Sequence, residues 1–565
     1  MAPRKQAPGV PRIGQLRTVP EVLEAFRLHR KAFTPNALGT LWSTIGKLVR
    51  NSDELQLLSD PGRLVMLDEL AVDTETALRI FNTRQLATTL SGMAGLHECG
   101  AWRGEALWAK MAALSRHYVH AMSPQDLSMT AHSFAKAGRR ETELFDAIAT
   151  AAVAWLHDFT PQDLASTAWA FAAADHPAPV LLEAIVTAAA PRLRDFKPQG
   201  LANTAWALAT AGHAAPALLD AIAAVVAAAR LRDFAPQDIA NTAWAFAAAG
   251  QPVPALFDAI ATAAARRLRD FTPQNLASTA WAFAVADHPA PALFDNDAFV
   301  AQLCAAERGF GPAGLAQLHQ WQLWREERGA EWPSLPPELA QRCSNAFSGD
   351  EGVLSMWADV LVQRDVVASL LAMQLALRYL EVRTPQGYSL DAVVSHGGRE
   401  VALVVDGPSH FRGRTPTGET VLKRRQLRAA GWTLLPVPYW EWEALGSSKV
   451  AKQEYFRAAL DRVILAPLQP EASPLARAPL ARALLAQAPL AHVPTAVSGE
   501  LAASTALHAA AQLGSESSVH SSGPGHTRSP SSGSVQSQSS STSGHTQCAS
   551  AEWTKRMMHR LSEIE

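Results

Sequence analysis

Apolar and small side chains along residues 158–290 fall into short helical stripes that break and restart. Leu164, Ala168 and Phe171 lie at i, i+4 and i+7, one face of a helix. A break follows at Asp175-His176-Pro177, and Leu182, Ile185 and Leu193 then supply a second stripe that faces back toward the first, so each unit reads as a helical hairpin. The unit restarts as DFTPQDLASTAWAFAAA from Asp158, DFKPQGLANTAWALATA from Asp195, DFAPQDIANTAWAFAAA from Asp233 and DFTPQNLASTAWAFAVA from Asp270. Trp169, Trp206, Trp244 and Trp281 fall 37, 38 and 37 residues apart. A hairpin of this size cannot bury its apolar face alone and must stack on its neighbours, which predicts an α-solenoid.

The first helix of each unit carries its own start signal. In Thr160-Pro161-Gln162-Asp163 the threonine caps free amides, proline suits the first helical position, and aspartate at the third returns a bond. Ser123-Pro124-Gln125-Asp126 repeats it. Lys197 and Ala235 lack the side-chain acceptor, so those two starts should be weaker by about 1 kcal/mol. Degenerate copies begin at Ser123, Asn82 and Thr34, and GPAGLAQLHQWQLW from Gly311 has the polar substitutions of a terminal cap. Four clear repeats and about three further ones are legible.

Beyond a transition near residues 330–380 the period changes. YSLDAVV (388–394) and EVALVVD (400–406) alternate as strands joined by His396-Gly397-Gly398, Glu419 to Ala430 reads as a helix ended by Gly431, and TLLPV (433–437) as the next strand. From about 467 the chain is rich in Ala, Leu and Pro, and from 514 to 550 in Ser, Gly, His and Gln, a composition that predicts disorder. The last residues, 551–565, suit a short helix.

Composition narrows the chemistry. The 565 residues carry a net charge of only −2, so any nucleic-acid affinity must come from local basic faces. Cys99, Cys304, Cys343 and Cys548 are scattered without metal-ligand spacing, which predicts no bound metal and a reducing compartment. No apolar run is long enough for a membrane span. Residues 1 to 20 hold Arg4, Lys5, Arg12 and Arg17 and no acid, as in an organelle-targeting peptide or an ordinary basic terminus.

A small polar pair recurs in each first helix: Ser166/Thr167, Asn203/Thr204, Asn241/Thr242 and Ser278/Thr279. In helical-repeat RNA binders two or three side chains per unit read one base, and these residue types both donate and accept. Arg194, Arg232 and Arg269, with Arg192, Arg230 and Arg267 beside them, are candidates for phosphates. The competing reading makes the small polar residues packing elements and the arginines solvated helix ends. The tryptophans read as filler between layers rather than an exposed ladder.

VVDGPSHF (404–411), the Lys423-Arg424-Arg425 helix, Gly431-Trp432 and VPYWEW (437–442) resemble the RAP domain, over about residues 388–460. The repeats upstream look like the heptatricopeptide or octotricopeptide class that accompanies it, as in the FAST kinase domain proteins. The resemblance implies a mostly α chain: an α-solenoid followed by a small α/β module similar to the restriction-endonuclease fold. It further implies binding of single-stranded RNA in mitochondria or chloroplasts, with the cytoplasm as the alternative, in transcript processing, stability, ribosomal RNA maturation or translation. Ribosomal RNA and other RNA-processing proteins are the implied partners. Arg412, Arg414, Lys423, Arg424, Arg425 and Arg428 then serve as phosphate contacts. In the related nucleases acidic residues on two strands hold a metal ion. Asp391 matches the first, and Asp406 and His410 are the further candidates for an endonuclease using Mg²⁺. Val404 stands where the pattern has a glutamate, and Asp406 where it has a lysine, so binding without a cofactor is the preferred expectation and cleavage the alternative. A protein-interaction scaffold is the third reading.

The resulting division is a basic segment 1–33, a solenoid 34–330, a helical linker 331–380, the RAP domain 381–463, a low-complexity tail 464–550 and a short helix 551–565.

Overall fold

The computed structural model describes residues 11–465 apart from 229–230, 296, 330–333, 351–356 and 374. The tail read over 464–550 (beyond residue 465), the short helix at 551–565, and Arg230 lie outside the described residues.

One row of helices runs through the repeats: Pro35–Leu48, Thr83–Glu98, Pro124–Lys136, Pro161–Ala173, Pro198–Thr210, Pro236–Ala248, Pro273–Ala286 and Pro312–Arg328. Each packs closely on the next, whereas the second helices of successive hairpins touch one another far less, so the row is the inner side of a curved array. Small residues permit the close approach, since Ala165, Ala168, Ala170 and Ala172 are all buried. Start chemistry follows the sequence: Thr160 Oγ1 accepts from the Asp163 amide at 3.2 Å and Asp163 accepts from the Thr160 amide at 3.1 Å. Lys197 and Ala235 make no side-chain cap, although Asp238 still takes the Ala235 amide at 3.1 Å. Between layers, Arg192 and Arg267 donate to the carbonyls of Phe159 and Phe234 at 2.8 and 2.7 Å, so these two arginines are staples rather than free cations.

Folded structure reaches further toward the N-terminus than the sequence suggests. Helix Val19–His29 buries Val22, Leu23 and Phe26 in the core of the array, leaving only the residues before it for the basic segment read over 1–33. The stretch read as a linker is also built in. Helix Pro337–Asp350 packs on Pro312–Arg328 and closes the row, and helix Trp357–Ala372 lies on the sheet that follows.

That sheet comprises β1 (Ala376–Arg383), β2 (Ser389–His396), β3 (Arg399–Asp406) and, after a small hairpin of β4 (Phe411–Arg412) and β5 (Thr415–Pro416), β6 (Thr433–Pro438). The order is β1-β2-β3-β6, antiparallel except for the β3–β6 pair, which helix Gly418–Ala429 connects as a crossover. Strand alternation sorts the core into two layers. Val394, Leu403 and Val437 face helices Trp357–Ala372 and Lys449–Leu465, while Val393, Val404 and Leu434 face the crossover helix. The β1 strand has no clear signal in the sequence because its alternation slips phase at Tyr379-Leu380, beside the register shift in its pairing with β2.

Candidate nucleic-acid interface

Helical geometry splits the recurring polar pair. On helix Pro161–Ala173, Gln162, Ser166, Trp169 and Ala173 form one partly exposed stripe, and Thr167, one residue round, is buried. The stripe repeats as Gln199, Asn203 and Trp206, as Gln237, Asn241 and Trp244, and as Gln274, Ser278 and Trp281. Thr204 and Thr242 donate to the backbone carbonyls of Gly200 and Asp238 at 2.8 and 2.7 Å, and Thr279 is buried like Thr167. Of each pair, Ser166, Asn203, Asn241 and Ser278 stand at the surface, while the threonines are packing residues out of a ligand's reach.

The tryptophans share the stripe with those surface residues. Trp169, Trp206, Trp244 and Trp281 form a continuous stack with ring centroids 6.3, 6.3 and 6.1 Å apart and planes inclined by 27–35°. Three of them are half-buried, and only Trp281, 5% exposed, is the filler expected from the sequence. His132 takes the rung before Trp169, 4.8 Å from its ring. Burial first, and Lys136 second, push the His132 pKa down to about 4, so its ring is neutral at physiological pH. Its ordinary value is 6.5, so as pH falls from 6.5 toward 4 the unfolded chain takes up a proton that the folded chain refuses. Stability should therefore fall by about 2 kcal/mol between pH 7 and pH 5 from this group, and His132→Trp should remove that part of the acid sensitivity in urea unfolding.

The stripe itself carries no charge: its residues are glutamine, serine, asparagine and tryptophan. Cations stand at its margins. Arg194, Arg232 and Arg269 are exposed just before the N-termini of three successive inner helices.

At the other ends of those helices sits the C-terminal module, and here several arginines differ from expectation. Arg425 donates to the carbonyls of Ala284 and Val285 at the end of the Trp281 helix and to Glu327 at 3.2 Å, acting as a helix cap supplied by another element. Arg424 pairs with the buried Asp406. Arg412 reaches Gly212 at the end of the Trp206 helix, and burial lowers its pKa. These three are committed to the fold and its joint, which leaves Arg414 and Arg428 as the exposed cations and Lys423 half-buried near Asp391. Trp432 is core, whereas Tyr439 and Trp440 form a partly exposed aromatic cluster with Phe411, whose ring lies 4.2 Å from that of Trp440.

A buried network ties module to array. Trp281 Nε1 donates to Gln320 Oε1 at 2.8 Å, Gln320 Nε2 to the Tyr388 hydroxyl at 2.9 Å, that hydroxyl to Gln426 Oε1 at 2.6 Å, and Gln426 Nε2 to the Gln320 carbonyl at 2.7 Å. Buried networks of this kind, fully satisfied, fix one geometry.

The nuclease candidates lie near enough for Asp391 to feel the charges of Lys423, Asp406 and His410, but each is engaged in its own bonds. Asp391 accepts from Gln363 Nε2 at 2.6 Å and from the Val405 amide at 2.7 Å, and its burial raises its pKa. Asp406, wholly buried, is neutralised by Arg424, and His410 Nδ1 lies 3.3 Å from Thr420 Oγ1. Val404 is in the core against the crossover helix. Among the described residues no three His, Cys, Asp or Glu side chains are grouped to hold a metal ion. Nor is any described helix long and apolar enough to cross a membrane.

An array of stacked hairpins with a small mixed sheet seated on its end defines a helical-repeat protein with a C-terminal module. Residues 403–458 match the RAP domain, a family associated with RNA binding, so the chain carries a RAP domain there. Residues 173–316 match the N-terminal domain of the Tbc2 translation factor. A chloroplastic RAP domain-containing protein of rice (Oryza sativa subsp. japonica) is 42% identical over 79 residues, 14% of this chain and 12% of that protein. The matched stretch is thus a small part of either chain.

Proposed function

We propose that this protein binds single-stranded RNA inside an organelle and acts there on the processing, stability or translation of transcripts. The observation that carries the reading is the pairing of an uncharged, hydrogen-bonding and aromatic stripe with exposed arginines at its margin and a RAP domain at its end. The rice relative described as chloroplastic supports an organellar site of action, and the likeness to a translation factor domain supports a role on messenger RNA.

The direct test is a titration of single-stranded RNA against salt. Binding should weaken steeply as salt rises, with a slope of about −0.7 per phosphate contacted, and Arg194→Ala or Arg232→Ala should each flatten that slope. Affinity without salt dependence would favour the second reading, a protein-interaction scaffold, for which the neutral stripe is the supporting feature.

The partners of the carboxylates support binding rather than cleavage, since Asp406 is held by Arg424 and Asp391 by two donors. RNA incubated with the protein and Mg²⁺ should stay intact. Cleavage that disappears in Asp391→Asn would establish the nuclease alternative instead.

A further inference from the structure

In the turn after each inner helix one residue fastens its layer to the preceding one, by bonding an acid on that layer's second helix. His176 Nε2 meets Asp146 at 2.9 Å, His213 Nε2 meets Glu183 at 3.0 Å and His288 Nε2 meets Asp258 at 2.8 Å. The three rings are mostly buried. In the Trp244 hairpin the matching residue is Gln251, and the matching acid is Asp220. These two are not bonded. Gln251 Oε1 is buried without a partner, and Asp220 is exposed and makes no bond among the described residues.

The connection across this boundary differs as well. Pro216 and Pro236 stand 20 residues apart, where Pro179 and Pro198, like Pro254 and Pro273, stand 19 apart. Within the longer stretch Leu231 is buried at a φ of +46°, in the left-handed region that L side chains rarely adopt. Of the boundaries between Trp169 and Trp281, this one alone lacks the clasp among the described residues, and its connection is strained.

The β4–β5 hairpin of the module lies across it. Arg412 Nη1 stands 3.0 Å from the place of a Cβ on Gly212, just past the Trp206 helix. The Pro416 carbonyl oxygen stands 3.3 Å from the place of a Cβ on Gly250, just past the Trp244 helix. A half-buried guanidinium therefore sits at the carbonyl end of one helix, where a cation is favoured, and backbone braces the next.

We infer that the boundary between the Trp206 and Trp244 layers is a hinge of the array and that the β4–β5 hairpin is the splint that holds it closed. While residues 411–416 rest on Gly212 and Gly250 the two layers move as one. When they withdraw, the row bends at this boundary, so the curve of the array is set by the seating of the module and not by the repeats alone.

Hydrogen exchange on the full chain tests this. The amides of residues 249–251 and of residues 174–176 are bonded back into their helices in the same way, and only the second turn has its clasp. Arg412→Ala should speed exchange at 249–251 about tenfold and leave 174–176 at the parent rate. Gln251→His supplies the missing clasp opposite Asp220. Alone it should slow exchange at 249–251, and added to Arg412→Ala it should return these amides to within about twofold of the parent. Arg412→Ala without effect at 249–251, or with an equal effect at both turns, would overturn the splint. A Gln251→His that neither slows nor restores exchange at 249–251 would overturn the hinge.

Discussion

Replacing Gly418 with valine is expected to lift the RAP domain off the repeat array. A Cβ at this position would lie 2.9 Å from the Ala247 carbonyl carbon, closer still to its oxygen, and 2.7 Å from Val285 Cγ1. The obstacle is backbone at the end of the Trp244 helix, which cannot turn aside as a side-chain tip can. Overpacking of ordinary cores costs about 1–3 kcal/mol, and a backbone clash belongs at or above the top of that range. The joint has a few polar anchors, chiefly Arg425 on the Ala284 and Val285 carbonyls and the Gln320–Tyr388–Gln426 network, and all require the same seating. Calorimetry should show the module melting separately from the array, and backbone amides at the end of the Trp281 helix should exchange faster. Glu419→Ala, on the neighbouring exposed position, should change neither. An unaltered melting profile in Gly418→Val would show that the joint contributes little.

The second large effect belongs to the start of the array. Helices Pro35–Leu48 and Thr83–Glu98 cross through facing glycines: a Cβ on Gly92 would press into the Trp42 carbonyl and stand 2.6 Å from the Ser43 amide, and one on Gly46 would stand 2.8 Å from Gly92 Cα. Gly92→Ala must therefore separate the two helices, and with them the buried Trp42, whose Nε1 donates to Thr74 at 2.9 Å. A loss of more than about 3 kcal/mol is expected. In a repeat array the damage should stay local, because each layer contacts mainly its neighbours. Hydrogen exchange should therefore collapse in the Pro35–Leu48 helix while the Trp206 helix keeps its protection, whereas uniform loss across the array would contradict this.

The repeats were legible because period, start signal and stripe all recur, and even the worn copies at Thr34 and Asn82 lie in the same row of helices. Legibility ended where a question turned on which side of a helix faces what. Ser166 and Thr167 look alike in sequence, yet a single residue's step round the helix puts the first in the groove and the second in the core. The tryptophans suggested filler because large aromatics in alanine-rich helices are usually buried; the curvature that leaves three of them half-open is a property of the stack and not of any one unit. The basic run 412–428 suggested a single phosphate-binding face. Its division into joint and surface depends on partners far away in the chain, such as Ala284, 141 residues before Arg425. No local pattern encodes a partner at that distance.

The hydrogen bond from Trp281 into Gln320 and on to Tyr388 gives the array one anchored extremity and one that is free to grow. Inserting a further hairpin after Trp281 would strand the module without its seat, whereas inserting one before the Trp206 helix would leave intact a seat that spans the ends of the Trp206, Trp244 and Trp281 helices and would lengthen the row by one layer. Descendants of such a chain can acquire longer footprints by duplication only from the upstream side, with the RAP domain as the fixed origin from which every layer is counted.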